Sequence, residues 1–326
     1  MTKSISSSSK QKCVRVGTRE SQLARLQTDI VIAALSGKFP ELKFEVVPIT
    51  TGGDKVQDKP IAELGGRGVF VKELEDALYA DKVDFVVHSL KDLPTELPKD
   101  LVLACVLNRE DPRDVLVSND DTVLKTLPPG TRLATSSRRR TAQIRALRTD
   151  LEFCDIRGNI PTRLRKHSEG QCDAMVLAAA GLLRLGLSSK ITEYLDMSVS
   201  TPAVGQGALA VECREGDFSV LEFLRVIEDQ QVRAEITAER TFLDKLGGGC
   251  SVPVGAIGET LRDGRLRLTG CVAALDGTEV IRVSLESTTD MAIELGNNLA
   301  ERVEELGADR ILRELKLSVP PAISPP

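Results

Sequence analysis

DFVVHSLKDLPT, residues 84–95, is an apolar run that stops on two polar residues and passes directly into charge and proline. Phe85, Val86 and Val87 read as the continuous hydrophobic stretch of a parallel strand buried on both faces. His88, Ser89, Lys91 and Asp92 follow, before Pro94 closes the turn. A strand ending in this way delivers polar groups to the carboxyl edge of a sheet, where open α/β proteins bind ligands. Outward from it, strand-like runs at 13–18, 44–51, 132–137, 152–157 and 174–180 alternate with helical patterns at 21–35, 71–79, 138–147 and 161–167. In the first helix Leu23, Leu26, Ile30 and Ala33 recur at three- and four-residue steps, with Ser21 placed as N-cap. The alternation predicts an α/β architecture with mainly parallel sheets.

After about residue 229 the pattern changes. A helix over 232–246 runs into GGGCSVP (247–253), and strands at 265–274 and 278–286 meet at Asp276-Gly277, a hairpin signal. A single long helix is expected from about 291 to 315, completing an α+β module. The Pro-rich tail SVPPAISPP reads as disordered. The start, MTKSISSSSKQK, lacks the apolar stretch of a secretory signal and reads as a disordered leader, a transit peptide being the alternative. The stretch 50–68, TTGGDKVQDKPIAELGGRG, carries five Gly and mixed charge, and reads either as an active-site cover or as a solvated loop.

At 326 residues the chain is long enough for two or three domains. Its 3% of aromatic residues leaves the core to aliphatic side chains. Seven Cys without C-x-x-C pairs argue against a zinc site or disulfide framework and suit a reducing cytoplasm. Two His, His88 and His167, make a His-dependent triad improbable, and no run is long and apolar enough to span a bilayer. A net charge of −5 and few aromatics disfavour nucleic-acid binding. Within that acidic total, residues 132–166 gather ten Lys or Arg against three acids, which points to a small anionic ligand.

The cations fall at strand-to-helix junctions: RVGTRES (15–21), TSSRRR (135–140) and RGNIPTR (157–163). Helix N-termini with hydroxyls and guanidinium groups form anion sites because donors and dipole converge. Three such junctions exceed the needs of one phosphate and suit several carboxylates, each able to take a bidentate Arg. Taken singly, each Arg reads equally well as a solvated helix face, and Arg140, Arg145, Arg148 and Arg165 are placed in that surface class on pattern alone. Asp92 is either a turn cap or an ionised carboxylate that stabilises a cation or moves a proton. Cys250, in a glycine-rich turn, is open as a nucleophile or an attachment point, whereas Cys105 in LVLACVL reads as core. GQGA (205–208) is compatible with a hinge or with a backbone–ligand contact.

Taken in order, RVGTRESQLA, TTGGDK, HSLKDLPT, TSSRRR, IRGNIPTRLRK, AVGQGAL and GGGCSVPVG resemble the porphobilinogen deaminases over positions 15 to 255. The resemblance implies head-to-tail joining of four porphobilinogen molecules into hydroxymethylbilane, with loss of ammonia at each step. It implies a dipyrromethane cofactor held by a thioether to Cys250, and Asp92 as the carboxylate that stabilises the azafulvenium ion. Lys91, Ser136, Arg139, Arg140, Arg157, Arg163 and Arg184 would hold cofactor carboxylates, which moves Arg140 out of the surface class. Arg19, Ser21, Gln206 and Lys55 would meet substrate. No metal, nucleic acid or membrane is implied, and the family precedent is a monomer. The implied fold is two α/β domains of the periplasmic-binding-protein type, crossed twice by the chain, plus a smaller α+β C-terminal domain. Its boundaries are 1–109 with 205–228, 110–204, and 229–326. Arg138 occupies a place usually apolar, and Gly52, Pro161 and Gly247 are atypical, but no proposed catalytic group is lost. A non-catalytic polycarboxylate-binding protein is the competing reading, and it leaves HSLKDLP and GGGCSVP unexplained.

Overall fold

The computed structural model describes residues 13–55, 68–247 and 252–318. The leader, the final Pro-rich residues, most of the 50–68 stretch and Cys250 lie outside the described residues. Numbered along the chain, the first sheet begins with β1 (Cys13–Arg19), β2 (Lys43–Ile49), β3 (Phe85–Ser89) and β4 (Leu101–Val106). The second contains β5 (Asp114–Ser118), β6 (Arg132–Ala134), β7 (Glu152–Cys154), β8 (Ala174–Ala178) and β9 (Glu193–Tyr194). β10 (Leu209–Arg214) then returns to the first sheet.

The strand orders are β2-β1-β3-β10-β4 and β7-β6-β8-β5-β9. The two are the same pattern: three parallel strands in the order second, first, third, then an antiparallel strand, then the last. In each sheet the antiparallel strand is the one nearest a crossing between sheets. The expectation of mainly parallel sheets is therefore corrected to mixed sheets. The reason is directional. β1 and β3 run toward the carboxyl edge, whereas the crossings leave and enter at that edge, so β5 and β10 must start there and run away from it. The twofold crossing and the pairing of two α/β units are thus built into the strand order.

The two crossings lie side by side. Leu107 N–H donates to Leu209 O (3.1 Å), Glu110 N–H to Gly207 O (3.1 Å), and Arg109 Nε to Gln206 O (2.8 Å). Gly207 has φ +92° and a Cβ there would lie 2.2 Å from Glu110 O, so only glycine fits the second turn of the GQG string. That places GQGA on the paired connection, the hinge segment between the two sheets, with Gln206, Gly207 and Ala208 also on the cleft.

The third unit has an antiparallel sheet, β11 (Val254–Thr260), β12 (Arg265–Ala273) and β13 (Val280–Thr288), in that order. β12 and β13 join through the expected Asp276-Gly277 turn. The helices α8 (Gln230–Lys245), α9 (Ala292–Glu305) and α10 (Ala308–Ser318) build its core with Phe242, Leu268, Leu295, Leu299 and Val303. The single long helix expected over 291–315 is two: Gly307, at φ +103°, ends α9 in a left-handed step, a common helix stop. β4, β5, β9, β10 and β11 were not anticipated as strands.

α8 locks this unit to the hinge. The fully buried Glu239 accepts hydrogen bonds from Arg109 Nη1 (2.5 Å), Gly205 N (2.7 Å) and Gly258 N (2.8 Å), joining both crossings to β11. Removing it strands a largely buried guanidinium, a defect that typically costs about 3–5 kcal/mol. Glu239→Ala is accordingly expected to lower stability by about that amount. The urea midpoint of the variant against the parent protein measures it.

Candidate active site

The strand ends of both sheets face one cleft of about 320 Å³. β1 delivers Arg19 and Ser21. Ser21 caps α1 (Gln22–Lys38) by accepting from Ala24 N at 3.3 Å, as its sequence position predicts. The Arg19 guanidinium stacks 4.1 Å from the ring centre of Phe70. β3 delivers Ser89, Lys91 and Asp92. Ser89 Oγ and the buried Gln27 amide of α1 exchange hydrogen bonds at 2.9 and 3.1 Å, and Lys91 Nζ donates to Gln206 Oε1 at 3.4 Å.

The second sheet supplies the other wall. Asn159 caps α5 (Ile160–Ser168) through Thr162 N at 3.0 Å, with Pro161 in the first turn, and this junction carries Arg157 and Arg163. Arg163 Nε donates to Gly158 O at 2.7 Å. Arg184 ends α6 (Ala179–Arg184) and donates to Gly207 O of the hinge at 2.6 Å. Arg140 comes from α4 (Arg138–Arg145), capped by Ser137.

Behind Arg140 stands a residue the sequence reading missed. Asp114, wholly buried at the start of β5, accepts from Arg139 Nη1 (2.7 Å), Arg140 Nε (3.0 Å) and Nη2 (2.7 Å), Ser200 Oγ (2.7 Å) and Gln206 Nε2 (2.9 Å). Burial alone would raise its pKa, but the two guanidinium groups hold it well below the usual carboxylate range. Its one sequence signal is a charge at the head of the apolar run DVLVS.

Of the residues singled out by sequence, Arg19, Ser21, Lys91, Asp92, Arg140, Arg157, Arg163, Arg184 and Gln206 meet on the cleft wall. Arg139 lies behind it, 5% exposed, spending its donors on Asp114 and on Thr201 O (2.6 Å). Ser136 ties two junctions together, donating to Ile156 O (3.0 Å) and accepting from Ile156 N (3.3 Å). Cys250 and the Lys55 side chain fall outside the described residues. β11, which follows residues 248–251, passes beside Arg139: a Cβ on Gly255 would lie 3.2 Å from Arg139 Cδ.

Two surface assignments are corrected. Arg145 reaches Leu275 O across to the third unit (3.0 Å) and stacks over Phe153, and Arg148 donates to Leu124 O and Leu127 O (both 2.6 Å). Both are tied to main chain because carbonyls left by neighbouring turns need donors. Arg165 is exposed, paired with Glu169 as a helix-surface ion pair. His88 is also not a cleft residue: it is buried within β3, with Nε2 2.9 Å from Glu212 Oε2.

The electrostatics favour a multiply charged anion. Among the described residues lining the cleft, Arg19, Lys91, Arg140, Arg157, Arg163 and Arg184 are cations and Asp92 is the one acid. Burial draws Arg163 down to about 10, with Arg140 and Arg157 adding repulsion and Asp92 opposing it. Burial likewise lowers Lys91 to about 8, Arg140 and Arg139 reinforcing the shift against Asp92 and Asp114. Neighbouring cations on this wall repel one another, and burial keeps water from screening them fully. Ligand carboxylates relieve that repulsion.

Residues 14–222 match the family profile described as "Porphobilinogen deaminase, dipyromethane cofactor binding domain", and residues 233–305 match its C-terminal domain. The porphobilinogen deaminase of Desulforudis audaxviator is 49% identical over 303 residues, covering 93% of this chain and 98% of its own length. That of Roseiflexus castenholzii is 50% identical over 297 residues, with coverage of 91% and 97%. That of Syntrophotalea carbinolica is 46% identical over 310 residues, with coverage of 95% and 98%. The chain belongs to the porphobilinogen deaminase family. Its function is the condensation of porphobilinogen into hydroxymethylbilane, and its cofactor is dipyrromethane. The site fits that group: two pyrroles bring four carboxylates, and the wall offers six cations.

Lys91 gives this cleft a pH dependence. In the folded chain it discharges near pH 8 instead of its ordinary 10.5. Between those values the unfolded chain holds a proton that the folded one lacks, so this group's contribution to folding stability rises with pH. Carboxylate binding moves the other way. From pH 7 to 9 the Kd of the unloaded Cys250→Ser chain for a free dipyrromethane is expected to rise up to about tenfold as Lys91 loses its charge. With Lys91→Arg added, whose guanidinium stays charged, the rise should vanish. Calorimetric titration across that range on both proteins checks it.

Proposed function

We propose that the reaction is run by Asp92 beside a primer tethered to Cys250, in a transferase whose domains divide at 109/110, 204/205 and 228/229. The observation that carries this is the position of Asp92, the lone acid among the described residues of a wall of cations. When the amine of porphobilinogen leaves as ammonia, its exocyclic carbon becomes an electrophile conjugated with a cationic pyrrole. An ionised carboxylate at that point stabilises the cation and accepts hydrogen bonds from pyrrole N–H groups. Asp92 would also face the site where the new carbon–carbon bond replaces the broken carbon–nitrogen bond, the attacking ring carbon giving up its proton to restore the pyrrole.

The dipyrromethane, when bound, supplies the nucleophilic ring end on which growth begins. Lys91, Arg140, Arg157, Arg163 and Arg184 hold its carboxylates on the wall. Arg139 contributes from behind through Asp114, and Ser136 by fixing the 135–137 and 156–158 junctions. Arg19, Ser21 and Gln206 receive the incoming substrate, with Lys55 joining them from the 50–68 stretch. Asp114 keeps Arg140 and Gln206 in place, so that the cofactor and substrate sides of the cleft share one anchor. We further assign the chain to a monomer acting in heme synthesis in the cytoplasm. The motif set and the free cysteines support that reading, and no helix among the described residues is long and apolar enough to cross a membrane.

Two measurements test the assignment. Intact-protein mass spectrometry of the parent should give a mass above that of the sequence by two pyrrole units, and Cys250→Ser should lack the addition; an unmodified parent with full activity overturns the tether. Asp92→Asn should abolish nearly all turnover of porphobilinogen while leaving the thermal transition in place, a loss of at least about 100-fold for an electrostatic group at the reacting centre. Normal turnover removes Asp92 from the mechanism.

A further inference from the structure

The turn that carries Asp92 is held from two sides. In front, Leu90 N–H donates to Ala208 O of the hinge at 3.1 Å, and Leu93 N–H closes the turn on Leu90 O at 3.0 Å. Behind, the third unit holds it with one face of α8. Val232, Ile236, Arg240 and Asp244 recur at four-residue steps, so they share a stripe. Val232 and Ile236 pack in one core with Leu90 and Leu93. Arg240 then fans its guanidinium over the following main chain: Nη1 donates to Leu93 O at 3.2 Å, and Nη2 to Pro94 O at 2.6 Å and Thr95 O at 2.9 Å. One turn on, Asp244 Oδ1 accepts from Thr95 Oγ1 at 3.0 Å.

Three consecutive carbonyls converging on one guanidinium are a geometric constraint on residues 93–95. Pro94 has no N–H to give, so this segment has few donors of its own and depends on a side chain from elsewhere. Arg240 is half-buried; burial draws it down to about 10, with Arg233 adding to the shift and Asp244 and Glu212 opposing it, which leaves it charged at neutral pH. Residues 248–251 follow α8 by only two described positions, Leu246 and Gly247.

We propose that Arg240 is a positioning residue: by holding the carbonyls of residues 93–95 it fixes the Asp92 carboxylate relative to the helix that leads into the cofactor anchor. This rests on the reading of Asp92 as the reacting carboxylate. It makes the C-terminal unit more than a carrier of the tether. One helix of that unit, α8, sets the turn that carries the acid.

The test compares Arg240→Lys, Arg240→Met and Asp92→Asn with the parent, using porphobilinogen as substrate and kcat per loaded protein, the loaded fraction being read from intact mass. A displaced turn should cost kcat about 10- to 100-fold in Arg240→Met, with KM within about threefold, since a shift near 1 Å at a reacting group costs about that much and the carboxylate-binding cations are untouched. Arg240→Lys, which keeps the charge but not the fork, should fall between the parent and Arg240→Met. Should Arg240→Met fail to fold, Arg240→Lys decides alone, through a kcat loss of at least about fivefold at unchanged KM. A folded, loaded Arg240 variant with parental kcat overturns the inference, as does a loss carried by KM or a folded protein that never loads. An inactive Asp92→Asn beside a normal Arg240→Met sinks this inference alone, whereas a normal Asp92→Asn sinks the reading beneath it.

Discussion

Asp114 is a buried carboxylate on which two sheets, a hinge and a ligand wall all lean. It opens β5, so it sits where the chain has just crossed into the second sheet. It takes Arg139 and Arg140 from α4, Ser200 from the return path and Gln206 from the hinge turn. A lone buried carboxylate is costly, and here the two guanidinium groups compensate it. The balance also runs the other way. Two guanidinium groups against one carboxylate leave a net positive charge, and Arg140 is the member that reaches the cleft. The structural ion pair and the ligand-binding cation are therefore one construction.

The hinge follows from the same strand geometry. Because both crossings enter and leave at the carboxyl edges, they run together as a two-stranded connection, stitched by Glu110 N–H to Gly207 O and by Arg109 to Gln206 O. Cleft-lining groups from both sheets then flank the connection without any extra segment to bring them there. Arg184 ends on Gly207 O and Lys91 on Gln206, so a displacement of the hinge main chain acts on both walls at once. Glu239 brings the third unit to that same point.

Local features of this arrangement were legible in the sequence, and directional ones were not. Ser21 and the 135–140 and 157–163 strings announced helix starts because capping chemistry is local, and Asp276-Gly277 announced its hairpin for the same reason. The runs at 114–118 and 209–214 carry no mark of direction, since an apolar strand reads alike both ways, and only the crossing makes them antiparallel. Arg139 and Arg140 are neighbours on a helix, about 100° apart, and pattern cannot say which faces a ligand until Asp114 is in place. Arg145, Arg148 and Arg240 evaded the reading because their partners are main-chain carbonyls, which leave no residue-type signature. The family resemblance supplied the roles of Asp92 and Cys250, which residue types alone had left open.

The makeup of the cleft fits the work of lengthening a chain. Each added pyrrole presents the same two carboxylates, so a growing product repeats one recognition element at a fixed interval. A wall recognising shape would bind one length and resist the next. A wall of interchangeable cations binds every length with the same contacts, because a guanidinium–carboxylate pair is indifferent to which ring supplies the carboxylate. What must not be interchangeable is the reacting position, and the group proposed for it, Asp92, is the one acid among the described lining residues. On the proposed role of Asp92, repetition in Arg19, Arg140, Arg157, Arg163 and Arg184 and the single acid are two halves of one requirement: recognition repeats along the chain, while the point of bond formation stays fixed.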